Sequence, residues 1–209
     1  MTGAVTPKGE RRRDALVGAA AELLCEGGFE AVRHRAVATR AGLPLASTTY
    51  YFASLEDLIA AAVEHLAAGE ETVLRRRLDG LSRRRRGAES TADLLVELLV
   101  DDAPGSAALV SRYERDIACA RQPALRDIQR RLRQQRAAAV GEVVTRSGRH
   151  ARTEHLGALI GAVDGAVVSA LVDERATPRA TARATLIDVI DVLAPYDGNA
   201  RHDRKTGRP

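Results

Sequence analysis

The residues between Arg33 and Tyr51 have the types and spacing that suit nucleic-acid recognition. Arg33, His34 and Arg35 stand together where a short helix should begin. Cationic side chains beside the free amides of a helix start favour phosphate. Ten residues on, the segment Leu-Ala-Ser-Thr-Thr-Tyr-Tyr turns Ala46, Ser47, Thr49 and Tyr50 to one outward face. Small side chains there allow close approach to base edges, and hydroxyls bond phosphates and bases. Arg11, Arg12 and Arg13 add charge near the N-terminus. Other chemistries find less support. His34, His65, His150, His155 and His202 are scattered, with no HExxH and no histidine–acid spacing for a metal. There is no Gly-rich phosphate loop and no nucleophile elbow. No catalytic residue, no metal and no cofactor is expected.

A helix-turn-helix is the element that must hold these residues. Ala41-Gly42-Leu43 joins a helix at about 34–41 to one at about 45–51, with Gly42 supplying the turn and Pro44 suited to a helix's first turn. An earlier helix is expected over 10–26, stopped by Gly27-Gly28, with Leu16, Ala20, Leu23 and Leu24 on one face. Ser54 to Asp57 forms a capping box that opens a long helix reaching about Leu78. Five more helices are expected over 91–101, 106–121, 123–147, 153–175 and 178–194, separated by Pro and Gly. Residues 1–9 read as a flexible arm and 198–209 as a flexible tail.

Composition agrees with an all-α chain. Aromatics are 3% and Trp is absent, which disfavours an aromatic-rich β-sandwich or a sugar-binding module. Of 32 basic residues only Lys8 and Lys205 are lysine, a bias that high-GC codon usage also produces. The formal charge is +4, compatible with a polyanionic partner and weak on its own. Arg75–Arg77 and Arg83–Arg86 form the densest positive stretch, readable as a solvated linker or as a second phosphate-contacting site. Cys25 and Cys119 cannot build a disulfide framework, and Cys25 is expected as a small buried hydrophobe. No signal peptide is expected from the polar N-terminus. The apolar run 156–172, broken by Asp164, is slightly short for a membrane span. A soluble, cytoplasmic protein without a membrane partner is expected.

The second half suggests assembly. The run 156–172 is apolar almost all round and should be buried on most sides. Gly157, Gly161, Gly165 and Ser169 recur every four residues, a stripe that admits another helix closely. Each internal Gly costs about 1 kcal/mol relative to Ala, so some contact should offset it. Ile160 and Val167 line the neighbouring face, and the last helix offers Leu186, Val189, Ile190 and Leu193. Two such helices from each of two chains would close a four-helix bundle; the alternative packs both within one chain. The helix over 106–121 turns Leu109, Tyr113, Ile117 and Ala120 to one face, with Cys119 opposite. Asp164 needs an Arg or Tyr partner, or a ligand's polar group.

The segment from Gly28 to Ile59 resembles the DNA-binding domain of the TetR family of transcriptional regulators. The likeness spans about residues 10–66 and rests on order: a helix, Gly28-Phe29, the helix-turn-helix, Tyr51-Phe52, then Ser54-x-Glu56 opening a long helix. Arg33, Pro44, Ala46, Thr49 and Leu55 differ from residues common in the family and mark a variant branch. The resemblance implies that Leu45, Ala46 and Ser47 lie near base edges, with Thr49, Tyr50 and Tyr51 on phosphates. It also implies that Thr48 and Phe52 face inward. It implies a DNA-binding domain over 1–52, a ligand-binding and dimerisation domain over 53–197, and a homodimer on a pseudo-palindromic double-stranded operator. A small-molecule effector would sit among the C-terminal helices, with Tyr113, Ile117 and Asp164 as pocket candidates. Its binding would release a repressor from DNA. A helical binding module without DNA function, or a DNA-binding activator, is the competing reading.

Overall fold

The computed structural model describes residues 7–100, 107–173 and 176–196. The expected tail 198–209, residues 1–6 of the arm, the helix start at Ser106 and the residues Glu174 and Arg175 lie outside the described residues. Among the described residues there are nine α-helices and no extended sheet: α1 (Pro7–Ala31), α2 (His34–Arg40), α3 (Leu45–Tyr51), α4 (Leu55–Asp79), α5 (Ala88–Leu99), α6 (Ala107–Ala120), α7 (Arg126–Arg146), α8 (Thr153–Leu171) and α9 (Pro178–Leu193). A single 3-10 turn, Pro123–Leu125, precedes α7.

The expected all-α fold holds, with local differences. Pro7, Lys8 and Gly9, expected in the arm, are the first turn of α1. Gly27 and Gly28 do break that helix (φ −141° and 63°), but one further helical turn follows to Ala31. Gly42 takes φ +64° at the turn between α2 and α3, a conformation a Cβ resists. Ser54 Oγ accepts the Asp57 amide at 3.0 Å and caps α4.

The chain divides into two compact units, and two of the three divisions fall within α4 and α7. The first comprises residues 1–71 and 105–132. Leu16, Leu24, Val32, Val37, Leu58 and Val63 form its fully buried centre. Cys119, Leu125 and Leu132 join the same core, and α6 packs on α1. The Ser111 hydroxyl donates to the Cys25 carbonyl at 2.5 Å. Here α6 is rotated from its expected orientation. Its buried residues are Leu109, Arg115 and Cys119, whereas Ile117 is 62% exposed and Ala120 faces solvent. The buried Arg115 guanidinium reaches the half-buried Glu70 on α4 at 2.5 Å, which gives the inward-turned charge a partner. Cys25 is also exposed rather than buried, because α1 turns Leu24 and Ala21 inward instead.

In the second unit α8 packs on α9, and α5 packs on both. Its core holds Leu95, Val100, Val140, Leu159, Val163, Val167, Leu186 and Ile190. The helix α8 is long and apolar enough by composition for a membrane span, yet only one of its faces is buried. Gly157, Gly161, Gly165 and Ser169 lie on the open face with Val168, against the expectation of burial on most sides. Leu159, Val163 and Val167, with Ala166 and Ala170 between them, fill the inner face of α8, which α5 and α9 cover, while the outer face is mostly small.

The arginine run after α4 is not a loose linker. The Arg84 and Arg86 amides donate to the carbonyls of Arg146 and Ser147 at 2.9 and 3.1 Å. The Arg86 guanidinium is buried and donates to the Ser82 and Arg146 carbonyls at 2.9 and 3.0 Å. Tyr196 stacks between the guanidiniums of Arg85 and Arg149, at 4.1 and 4.2 Å from the ring centre, and its hydroxyl donates to the Arg86 carbonyl. Arg149 in turn donates to Asp191 and the Ala194 carbonyl.

Candidate nucleic-acid interface

The short helix α3 has one buried and one open side. Thr48 is fully buried, its hydroxyl donating to the Leu45 carbonyl at 2.8 Å, and Phe52 is buried just beyond the helix. The opposite side presents Leu45 at 52% exposure, Ala46, Thr49 and Tyr50 at 81%. An aromatic ring so exposed at the end of a helix has area to offer a partner rather than a core. Its edge meets the partly buried Tyr51 ring at 4.9 Å, nearly perpendicular, which limits where it can swing. Ser47 is half-buried. The Thr49 hydroxyl donates to the Ala46 carbonyl at 3.2 Å and is free to rotate toward another acceptor.

Helix α2 carries α3, and α1 carries α2. Arg40, in the last turn of α2, grips Glu26 with both terminal nitrogens at 2.7 and 2.8 Å and Glu22 at 3.1 Å. A planar guanidinium holds two carboxylates in a fixed geometry, which Lys would not. The fork holds the Glu26 carboxyl below its usual range and raises the Arg40 guanidinium further. Sequence reasoning missed this clamp; an arginine one residue before the turn, facing Glu22 and Glu26 one helical turn apart, was its signal. Arg13 lies over the Phe52 ring at 5.3 Å, a second link of α1 to the end of α3.

The other expected contact residues fall in the same unit. Arg11, Arg12 and Arg35 are exposed. Arg33 is exposed but paired with Glu30 at 2.6 Å, and it gives no side-chain cap to α2. His34 is half-buried, and its Nδ1 is enclosed without a hydrogen-bond partner.

The expected pocket residues are each described within their own unit. Tyr113 and Ile117 belong to the first unit and Asp164 to the second. Tyr113 is half-buried, its hydroxyl accepting from Arg112 at 2.9 Å, while Ile117 points to solvent. Asp164 pairs with Arg136 on α7 at 3.0 Å, the arginine partner its apolar setting called for. The expected assembly residues divide in two. Gly157, Gly161 and Gly165 are exposed, and Ile160, Val189 and Leu193 half-buried. Val167, Leu186 and Ile190 are fully buried within the chain itself, where they join α8 to α9, so they cannot present a surface to a second chain.

A helix-turn-helix with an exposed hydroxyl and aromatic face on its second helix is the arrangement that DNA-binding proteins use. The model for bacterial regulatory proteins of the tetR family matches residues 16–62. A model for the C-terminal domain of tetracyclin repressor-like proteins matches residues 86–192. The chain belongs to the TetR family of DNA-binding transcriptional regulators. Among solved structures it is similar to the multidrug binding protein EbrR in complex with proflavin, with 28% identity and a TM-score of 0.64, covering 86% of this chain and 99% of that one. EbrR in complex with ethidium matches at 27% identity and a TM-score of 0.65, covering 85% and 98%. A member of the TetR family, SCO1917 from Streptomyces coelicolor A3, matches at 28% identity and 0.60, covering 85% and 97%. No curated protein matches the sequence.

Proposed function

We propose that this regulator is a homodimeric, cytoplasmic repressor that reads a pseudo-palindromic operator and leaves it when a small molecule binds. The observation that carries the reading is the open face of α3, with Tyr50 at 81% and Leu45 at 52% exposure over a buried Thr48. Leu45, Ala46 and Ser47 would approach base edges. Thr49, Tyr50 and Tyr51, with Arg11, Arg12, Arg33, His34 and Arg35, would hold phosphates. The DNA-binding domain would span 1–52 and the ligand-binding and dimerisation domain 53–197.

The open face of α8 supports the dimer. Gly157, Gly161, Gly165 and Val168 face solvent in the single chain, and Val172 and Val192 are 84% and 74% exposed. Apolar and small residues gathered this way suit an interface. A two-fold dimer carries two recognition helices, as a pseudo-palindromic operator requires. Gly161→Arg should give a monomer by sedimentation and weaken operator binding at least tenfold. A dimer that persists with full affinity would move the interface elsewhere.

For the effector we propose a flat aromatic cation, by likeness to EbrR, crystallised with proflavin and ethidium. Such a ligand must favour the DNA-incompetent state to act as an inducer. Proflavin and ethidium also intercalate in DNA, so binding should be measured on the free protein by calorimetry before any release assay. Absence of heat with either compound would remove this class.

A further inference from the structure

Most arginines in the described residues that carry an ion pair do so within their own unit: Arg40 with Glu26, Arg115 with Glu70, Arg131 with Glu64, Arg146 with Glu142, Arg149 with Asp191 and Arg183 with Asp93. Arg76, Arg83 and Arg84 are different. All three are exposed, and none has an acidic partner among the described residues. They stand on a rigid support. The Arg146 guanidinium holds the Leu78 and Leu81 carbonyls at 2.7 and 2.9 Å, fixing the end of α4 two residues after Arg76. The Arg146 carbonyl receives the Arg84 amide and the Arg86 side chain. The strap carrying Arg83 and Arg84 is thus tied to the same helix end, with Arg85 stacked on Tyr196.

We propose that Arg76, Arg83 and Arg84 form a second polyanion site, in the second unit, that binds the phosphate backbone of duplex nucleic acid. Guanidinium forks match phosphate oxygens, and a fixed strap loses little entropy on binding. The surroundings select the class of partner. The aromatic ring at the strap, Tyr196, is already enclosed between two guanidiniums, which leaves it no open face to stack an unpaired base. The exposed residues beside Arg83 and Arg84 are Asp79, Gly80, Ser82 and Gly87, and the one large apolar side chain exposed near Arg76 is Val73 at 37%, short of the apolar centre that a protein interface needs. Backbone contact with a duplex, without base readout, fits both facts. Arg121, Arg126 and Arg133 are also exposed and carry no such strap.

The inference rests on the DNA-binding reading only in the choice of phosphate as the anion. It is tested on the full chain carrying Tyr50→Ala, using a random 30-base-pair duplex and fluorescence anisotropy from about 50 to 200 mM salt. Each phosphate that a variant no longer neutralises lowers the slope of log K against log salt by about 0.9. Arg76→Gln/Arg83→Gln/Arg84→Gln should lower it by about 2 to 3, and weaken binding several-fold at the lowest salt. With Tyr50 intact, the same triple variant should keep its selectivity for upstream DNA, which separates this site from α3. An unchanged slope in a folded triple variant would overturn the proposal. So would equal competition by polyglutamate of matched charge, which would make the strap a surface for acidic protein.

Discussion

Replacing the buried Arg86 by Met should destabilise the protein far more than the same change at its exposed neighbour Arg84. Arg86 is 6% exposed and has no carboxylate partner among the described residues. Desolvation lowers its pKa, yet a guanidinium stays protonated under all ordinary conditions. The charge is tolerated because carbonyls surround it: Ser82 at 2.9 Å, Arg146 at 3.0 Å and, more weakly, Arg84 at 3.4 Å. Arg146 is the last residue of α7, so the cation also meets the negative end of that helix. Met fits the stem but bonds none of these oxygens. The Arg146 carbonyl keeps the Arg84 amide, so the main loss falls on Ser82. Two good charge-assisted bonds at about 1.5 to 3 kcal/mol each, less the relief of burying a charge, leave a net loss of about 2 to 4 kcal/mol. At a few degrees per kcal/mol for a chain of this size, Tm should drop by about 6 to 12 °C. Arg84→Met should move it by less than about 2 °C. Calorimetry at one fixed protein concentration reads both, because assembly makes Tm concentration-dependent. Equal shifts for the two variants would mean that local charge density, and not the carbonyl cage, gives Arg86 its role.

Gly42→Ala should cost about 1 kcal/mol by urea denaturation, since φ is +64° but no atom lies within 4 Å of the added Cβ; a cost several times larger would mean steric conflict instead of backbone strain. Ellman's reagent should label one thiol in the native protein, the exposed Cys25, and reach Cys119 only on unfolding, because burial removes that thiol from the reagent and pushes its pKa up. Two fast-reacting thiols would contradict the orientation of α6. The Glu26 carboxyl, lowered by Arg40, contributes stability above its ordinary value of 4.5 and loses it as pH falls. Wild-type Tm should therefore fall more steeply than that of Arg40→Ala between about pH 6 and pH 3.5; parallel curves would show the fork to be thermodynamically silent.

The helices were legible wherever apolar spacing and punctuation agreed. The span of α3 follows from Pro44 before it and the inward Thr48 and Phe52 around it. The cap of α4 follows from Ser54 and Asp57 three residues apart. Orientation was less legible than extent. Periodicity put Ile117 inward on α6, because an isoleucine outweighs an arginine in any apolar pattern. Arg115 is nonetheless buried, since Glu70, 45 residues away, neutralises it. The same limit hid the Arg40 clamp and the Arg86 cage, which depend on acceptors distant in sequence. On α8 the pattern was apolar on two faces, and sequence could not say which one the chain covers itself. Val167 and Leu159 face α5 and α9, leaving the glycine stripe open.

The open face of α3 is proposed to read DNA. Fluorescence anisotropy on duplex DNA from immediately upstream of the gene, with a scrambled duplex as control, measures it at two salt concentrations. Selective binding of the upstream duplex, weakened at least tenfold by Tyr50→Ala while Tm is unchanged, is the predicted result. Equal binding of both duplexes that disappears with salt, and that Tyr50→Ala leaves untouched, would contradict it.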